Sequence, residues 1–409
     1  MEAIVERCCG LDVHQSTVVA CVLVGAANKR PTKQVRTFRT LSAELEQLRQ
    51  WLLEQGVTHV GMEATGVYWV PLYAVLEGHF DITVGNAMHI KTVPGRKTDV
   101  KDSEWIADLL RHGLIRKSYV PPKALRELRE LVRYRVKLVQ SRSAERNRLQ
   151  RLLETASIKL ASVMSDVFGV SGRAMLDAIV KQGYLPKEVA MLARGTLRKK
   201  TGDLALALDG RIEEHQRFML GMQLRRLDQV EADLTAIDAR IDQMLAPYRV
   251  EFERLQQIPG VDRIVAATIV AELGVDMTVF ASHHHAAAWA GVCPGNRESA
   301  GKKKRESARK GNVHLVTALV QAGVCAGRKK DTYLRAKYWK LVPRLGKQRA
   351  AMAIAHKILT AAYYMLKDGV DYHDLGVAYL DKRAATATRR ALVKRLEHMG
   401  YKVTLDKVA

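Results

Sequence analysis

The sequence predicts an α/β domain at residues 1–120, a helical coiled-coil arm at 121–250, a mainly α-helical domain at 251–370 and a basic tail at 371–409. Three observations predict this. Up to residue 85, short runs rich in β-branched residues alternate with stretches of helical apolar spacing. Residues 125–160 and 211–245 carry long helical patterns, with Gly221 as the one interior Gly or Pro. Beyond residue 250 the Pro259-Gly260 turn leads into an apolar helix, Ile264 to Leu273.

The elements of the first domain follow in order. Val5 to Gly25 reads as two strands broken at His14-Gln15-Ser16, and Gln34 to Thr40 adds a third. Leu41, Leu45, Leu48 and Leu52 lie at helical spacing, so Leu41 to Gln55 is a helix. Thr58 to Met62 is a short apolar strand running into Glu63. Val67 to Leu76 is a helix and Ile82 to Val84 a buried strand. A helix Thr98–Arg111 closes the domain, with Thr98 or Asp99 as its N-cap. The order β-β-β-α-β-α-β-α is that of an RNase H-like domain.

Four carboxylates fall where such a domain places chemistry. Asp12 ends the first strand, Glu63 ends the fourth, and Asp99 and Asp102 stand at i and i+3 on the expected helix. Two divalent ions about 3.5–4 Å apart need oxygen ligands from converging elements to clamp a phosphodiester. Asp12 is the most telling of the four, because an acid inside an apolar strand is costly unless paired or metal-bound.

In the arm, Leu125, Leu128, Val132, Leu138, Leu149, Leu152 and Leu153 form one stripe; Leu227, Leu234, Ile237, Ile241 and Leu245 form another. Two such helices pair most simply as an antiparallel coiled coil. The first is dense in cations, and Arg142, Arg146 and Arg148 are the candidates for nucleic-acid backbone contact. Residues 161–205, with Arg198-Lys199-Lys200, read as a helical insertion of open role. Further on, Leu255 to Val261 with its Pro259-Gly260 turn resembles a helix-hairpin-helix element. His283-His284-His285 points in three directions along a helix and reads as surface or cap. Glu298-Ser299-Ala300-Gly301-Lys302-Lys303-Lys304 sets a serine among small residues and three lysines, which suits a phosphate.

Composition bounds the function. Lys+Arg 66 against Asp+Glu 43 gives a net charge of +23, and a polyanion is the natural partner for such an excess. No run of eighteen apolar residues is present, so no membrane partner is expected. Five cysteines without a C-x-x-C pair exclude a disulfide framework or zinc ribbon, and fit a reduced cytoplasm. Met1-Glu2-Ala3 lacks the pattern of a signal peptide.

Several motifs together resemble one family. They are Gly10-Leu11-Asp12-Val13-His14, Gly61-Met62-Glu63-Ala64-Thr65-Gly66, Lys97-Thr98-Asp99-Val100-Lys101-Asp102, Ile258-Pro259-Gly260-Val261, Trp289-Ala290-Gly291-Val292-Cys293-Pro294, Ser299-Ala300-Gly301-Lys302 and Arg309-Lys310-Gly311-Asn312. The chain is similar to the transposases of the bacterial insertion-sequence one-ten family, the DEDD transposases, also described as bridge-RNA-guided recombinases. That resemblance implies a RuvC-like domain in which Asp12, Glu63, Asp99 and Asp102 bind two Mg²⁺ ions, with Mn²⁺ as a substitute. It implies a serine nucleophile at Ser299, with Ser307 as the alternative. Many relatives read Ser-Ser-Gly where this chain offers only Ser299, which is why Ser307 stays open.

The resemblance further implies homodimers or homotetramers, double-stranded donor and target DNA, a structured guide (bridge) RNA, and a cytoplasmic, nucleoid-associated location. Lys302, Lys303 and Lys304 are then backbone-neutralising residues. A phosphoserine link would conserve phosphodiester energy, which agrees with the absence of a G-x-x-x-x-G-K-[ST] loop. The alternative is a hydrolytic, Holliday-junction-resolvase-like nuclease that uses only the acidic tetrad.

Overall fold

The computed structural model of the chain describes residues 2–93, 101–181, 184–294, 298–299, 302–303 and 311–405. The chain divides into two compact units, Met1–Pro121 and Pro122–Ala409.

In the first unit, β1 (Arg7–Val13), β2 (Thr17–Val24) and β3 (Thr32–Arg39) form an antiparallel meander. After α1 (Ser42–Glu54), β4 (His59–Glu63) joins β1 in parallel; after α2 (Trp69–Leu76), β5 (Asp81–Gly85) joins β4. The sheet order is β3-β2-β1-β4-β5. This is a mixed five-stranded sheet consistent with an RNase H-like domain. The short α3 (Ala87–Thr92) is an addition, initiated by Asn86, whose side chain accepts from Met88 N. Six residues are too few for a helical period to show in the sequence.

Both faces of the central strand β1 are covered, so it reads as a continuous apolar run. Cys9 and Leu11 face α1 and α2, packing with Leu48, Trp51, Leu52 and Leu72. Cys8 faces the other way, with Cys21 and Leu23, against Ala107 and Leu110 of α4 (Asp102–Arg111). All five cysteines are free, and burial pushes the Cys8 thiol up to about 12.

The start of α4 corrects the expected helix. Lys101 is extended (φ −62°, ψ 147°) and caps α4 without a side-chain bond, so the helix begins at Asp102 rather than Thr98. Asp102, at the first helical position, is placed where the helix dipole favours an anion. Thr98 and Asp99, and with them the expected i, i+3 pair of Asp99 and Asp102, lie outside the described residues.

The second unit opens with α5 (Lys123–Thr155), which pairs with α10 (Glu214–Leu245). Arg135 bonds Asp238 at 2.7 Å and Arg146 bonds Glu231 at 3.0 Å, so the two helices run antiparallel. Between them lie α6 (Leu160–Val163), α7 (Val170–Val180), α8 (Pro186–Ala190), a 3-10 turn at Gly195–Lys200 and α9 (Thr201–Leu208). These share one core with the end of α5 and the start of α10, through Leu149, Leu153, Met175, Leu208, Leu220 and Leu224. The insertion is thus a small helical body at the far end of the pair.

The rest of the unit is helical: α11 (Arg249–Leu255), α12 (Arg263–Leu273), α13 (His283–Ala290), α14 (Val313–Ala326), α15 (Tyr333–Leu345), α16 (Lys347–Asp368) and α17 (Tyr379–His398). At the Pro-Gly turn, the Asp262 side chain accepts from Val265 N at 2.8 Å and so caps α12 itself. Arg263 is held by Asp238 and Asp242. His283 stacks on His284, with ring centroids 3.9 Å apart, and its Nδ1 lies 3.0 Å from the Tyr364 hydroxyl. No described helix is long and apolar enough to cross a membrane.

One buried carboxylate ties this unit together. Glu272 is fully buried on α12 and takes two bonds from Arg133 (2.7 and 2.8 Å), one contact from Arg129 (3.0 Å) and one from the Asn312 amide (2.6 Å). Arg129 and Arg133 belong to α5, and Asn312 caps α14. Removing one partner of such a group strands the others without compensation. Glu272→Ala is therefore expected to lower stability by about 3–5 kcal/mol, read as a drop in the urea midpoint. A loss below about 1 kcal/mol would mean the network is only a solvated contact.

Candidate active site

Two glycines set the geometry of the acidic group. Gly10 on β1 and Gly61 on β4 are paired in parallel register. A Cβ at Gly10 would come within 2.2 Å of Ser103 O and 2.3 Å of Ala107 N, so the α4 backbone rests directly on β1 there. A Cβ at Gly61 would sit 3.2 Å from Ile106 and Leu110 side chains. The strand period of two then puts Asp12 on the same face as Gly10, and Glu63 on the same face as Gly61. Asp102, at the first position of α4, stands at the end of the helix that this face carries. Gly10→Ala is expected to cost about 1–3 kcal/mol by overpacking, with loss of divalent-ion binding measured by titration. Full ion binding by this variant would show that α4 does not need its close seat.

The three described carboxylates act on one another. The Asp12 side chain is 26% exposed. Burial raises its pKa, His14 lowers it, and the negative charges of Asp102 and Glu63 raise it further. The His14 Nε2 lies 3.2 Å from Asp12 Oδ2, and the Thr65 hydroxyl donates to Glu63. A half-buried carboxylate raised by two like charges is the electrostatic setting that a divalent cation relieves. The donors are hard carboxylate oxygens, suited to Mg²⁺. Among the described residues no group of three or more His, Cys, Asp or Glu closes around a metal-sized point. Asp12, Glu63 and Asp102 thus form no complete metal centre by themselves.

His14 and Thr65 are partners of the acids that only the structure shows. Their signal was present, since each stands two residues beyond its acid within the motifs Gly10–His14 and Gly61–Gly66.

Ser299 lies in the second unit. Its backbone forms β6 (Glu298–Ser299), paired antiparallel with β7 (Lys302–Lys303), with Ser299 opposite Lys302. Lys304 and Ser307 lie outside the described residues. The segment between α13 and α14 is pinned at its base. A Cβ at Gly311 would lie 2.5 Å from the backbone of Ala290 and Gly291, so only glycine fits. Asn312 then accepts from His314 N and Leu315 N and donates to Glu272. The Gly311-Asn312 pair thus has a visible anchoring role.

The arm arginines are largely engaged within the chain. Arg146 bonds Glu231 and lies 5.5 Å from the Phe168 ring centre, and Arg148 bonds Glu145 at 2.5 Å. Arg142 is half-buried and has no acidic partner among the described residues. The neutralising acids on α10 and α12 lie far along the chain, which is why the cation density of α5 read in sequence as an open basic face.

Two family models match the chain. Residues 9–158 match a model described as a DEDD transposase of the IS110 type, and residues 252–339 match one described as "Transposase IS116/IS110/IS902 family". Together they span more than half of the chain and include Asp12, Glu63, Asp102, Ser299 and Asn312. No curated protein matches.

Proposed function

The chain belongs to the IS116/IS110/IS902 family of transposases, and we propose that it cuts and rejoins DNA strands through a serine nucleophile and a divalent-metal acidic site. Transposase membership carries DNA as substrate and strand transfer as outcome. The observation that supports the finer reading best is the grouping of Asp12, Glu63 and Asp102 on the face where α4 seats on Gly10.

In this reading, Asp12, Glu63 and Asp102, with Asp99, hold the ions, and His14 and Thr65 orient two of those carboxylates. Bound Mg²⁺ supplies Lewis-acid polarisation of the scissile phosphate and stabilises its developing charge. Ser299 Oγ attacks phosphorus; a serine–phosphate ester bond forms, the bond to the leaving deoxyribose oxygen breaks, and that oxygen takes up a proton. Lys302, Lys303 and Lys304 neutralise the neighbouring backbone. Attack by a second deoxyribose hydroxyl on the phosphoserine reverses the sequence on a new strand, with no nucleotide cofactor consumed. A structured RNA encoded with the element guides the choice of strands, and assembly into dimers or tetramers completes the active particle.

The net charge of +23 supports a large nucleic-acid contact. With roughly 6–10 phosphates engaged, affinity is expected to fall about 10³–10⁵-fold between 50 and 200 mM salt. Filter binding across that range tests it, and a flat profile would argue against backbone-dominated recognition. Sequencing the nucleic acid that copurifies tests the guide: one defined RNA species supports it, and random fragments contradict it.

A further inference from the structure

The insertion between α5 and α10 carries a groove that lies in the stretch between the two family-model matches. It has a volume of about 750 Å³. One wall is the segment 161–171 and the other the segment 194–200. Two bonds stitch the walls together: Arg194 N donates to Ser171 Oγ at 2.9 Å, and Lys200 Nζ donates to Val163 O at 3.3 Å. The lining mixes apolar side chains (Val163, Met164, Val170, Leu197) with the hydroxyls of Ser165 and Thr196 and the cations Arg194 and Lys200, while the Ser162 hydroxyl donates to Lys159 O at 2.7 Å. The one acid in it, Asp166, already accepts from Phe168 N at 3.0 Å.

What sets this groove apart is where its charge is left. Arg129, Arg133, Arg135, Arg146 and Arg148 of α5 are all bonded to carboxylates of the same chain. Arg194 and Lys200 in the lining, and Arg198 and Lys199 beside it, are exposed, and none forms an ion pair among the described residues. They crowd into one 3-10 turn and its approach, at the far end of a rigid helical pair. Against the single carboxylate of Asp166, four cations within seven residues leave an excess of positive charge that a polyanion would offset.

We infer that this groove binds the phosphodiester backbone of a nucleic acid, at a site separate from the acidic group and from the serine. The hydroxyls suit phosphate oxygens, and the lining holds no aromatic side chain on which bases would stack. The inference goes beyond the proposed reaction, and it survives if the serine chemistry fails.

The test compares two full-length variants of equal charge. One carries Arg194→Gln, Arg198→Gln, Lys199→Gln and Lys200→Gln. The other carries Arg39→Gln, Lys117→Gln, Lys123→Gln and Arg249→Gln, each of which removes a cation already paired on the surface. Binding of a 30-base-pair duplex DNA and of a 30-nucleotide RNA hairpin is measured against salt. The groove variant is expected to lose about two to four from the log–log salt slope, while the paired-cation variant keeps the wild-type slope. A loss confined to the hairpin identifies RNA as the occupant, a loss confined to the duplex identifies DNA, and a loss with both identifies a general backbone site. Equal slopes in the two variants, with either probe, would overturn the inference. Serine-adduct yield at saturating DNA is read alongside, so that a dead nucleophile and an empty groove are told apart.

Discussion

Asp12→Asn is expected to abolish strand cleavage while leaving the metal-free protein as stable as wild type or slightly more so. The side-chain oxygen can still meet His14, so the contact seen at 3.2 Å survives. What disappears is a negative charge held in a partly dry place beside Asp102 and Glu63. The sign follows from linkage. The folded-state pKa of Asp12 is raised, so the stability tied to its protonated form is full below the unfolded value and lost as pH rises through the folded one. At neutral pH the ionised group is a cost, and its removal relieves the fold. Cleavage moves the opposite way, by at least about 10³-fold, or about 4 kcal/mol of barrier, because a ligand has been lost. Thermal melting without metal and cleavage rates in Mg²⁺ check the two halves. Near-wild-type cleavage by Asp12→Asn would remove the metal assignment.

Ser299→Ala is expected to have a similarly large effect for a different reason. A serine hydroxyl is a weak nucleophile unaided, but it is the one protein atom that the proposed sequence of bonds attaches to phosphorus. Its loss should lower strand transfer by at least about 10³-fold, with DNA affinity and divalent-ion binding within roughly twofold of wild type. Ser307→Ala is expected to keep strand transfer. The reverse pattern, a dead Ser307→Ala and an active Ser299→Ala, would move the nucleophile eight residues along the chain. Cutting that survives in both variants would favour the hydrolytic nuclease.

Much of the first unit was legible because its signals are local. Short apolar runs rich in β-branched residues marked β1, β2, β4 and β5, and the element order followed. Asp12 and Glu63 stood out because each terminates an apolar strand. The start of α4 was not legible. Residues 98–101 continue a helix-compatible pattern, and only the extended backbone at Lys101 shows that the helix begins at Asp102.

Long-range compensation was the larger blind spot. Nothing near Arg133 in sequence announces Glu272, and nothing near Arg146 announces Glu231. Cation density on a helix therefore overstated its free charge. Arg198-Lys199-Lys200 is the reverse case, a cationic run that forms no ion pair among the described residues. The Gly10–Gly61 seat was visible only as letters in two motifs, because a close approach has no local signature beyond the missing side chain.

The most direct test of the account is the chemical identity of the trapped intermediate. Wild-type protein is incubated in Mg²⁺ with a duplex carrying a nick beside its recognition site, quenched in detergent, digested and mapped by mass spectrometry. The expected result is a nucleotide phosphate esterified to a serine within the peptide 297–302, abolished by Ser299→Ala and by Asp12→Asn. Complete strand cutting with no protein–DNA adduct at any time point would contradict the account, since water rather than this chain would then be the group that attacks phosphorus.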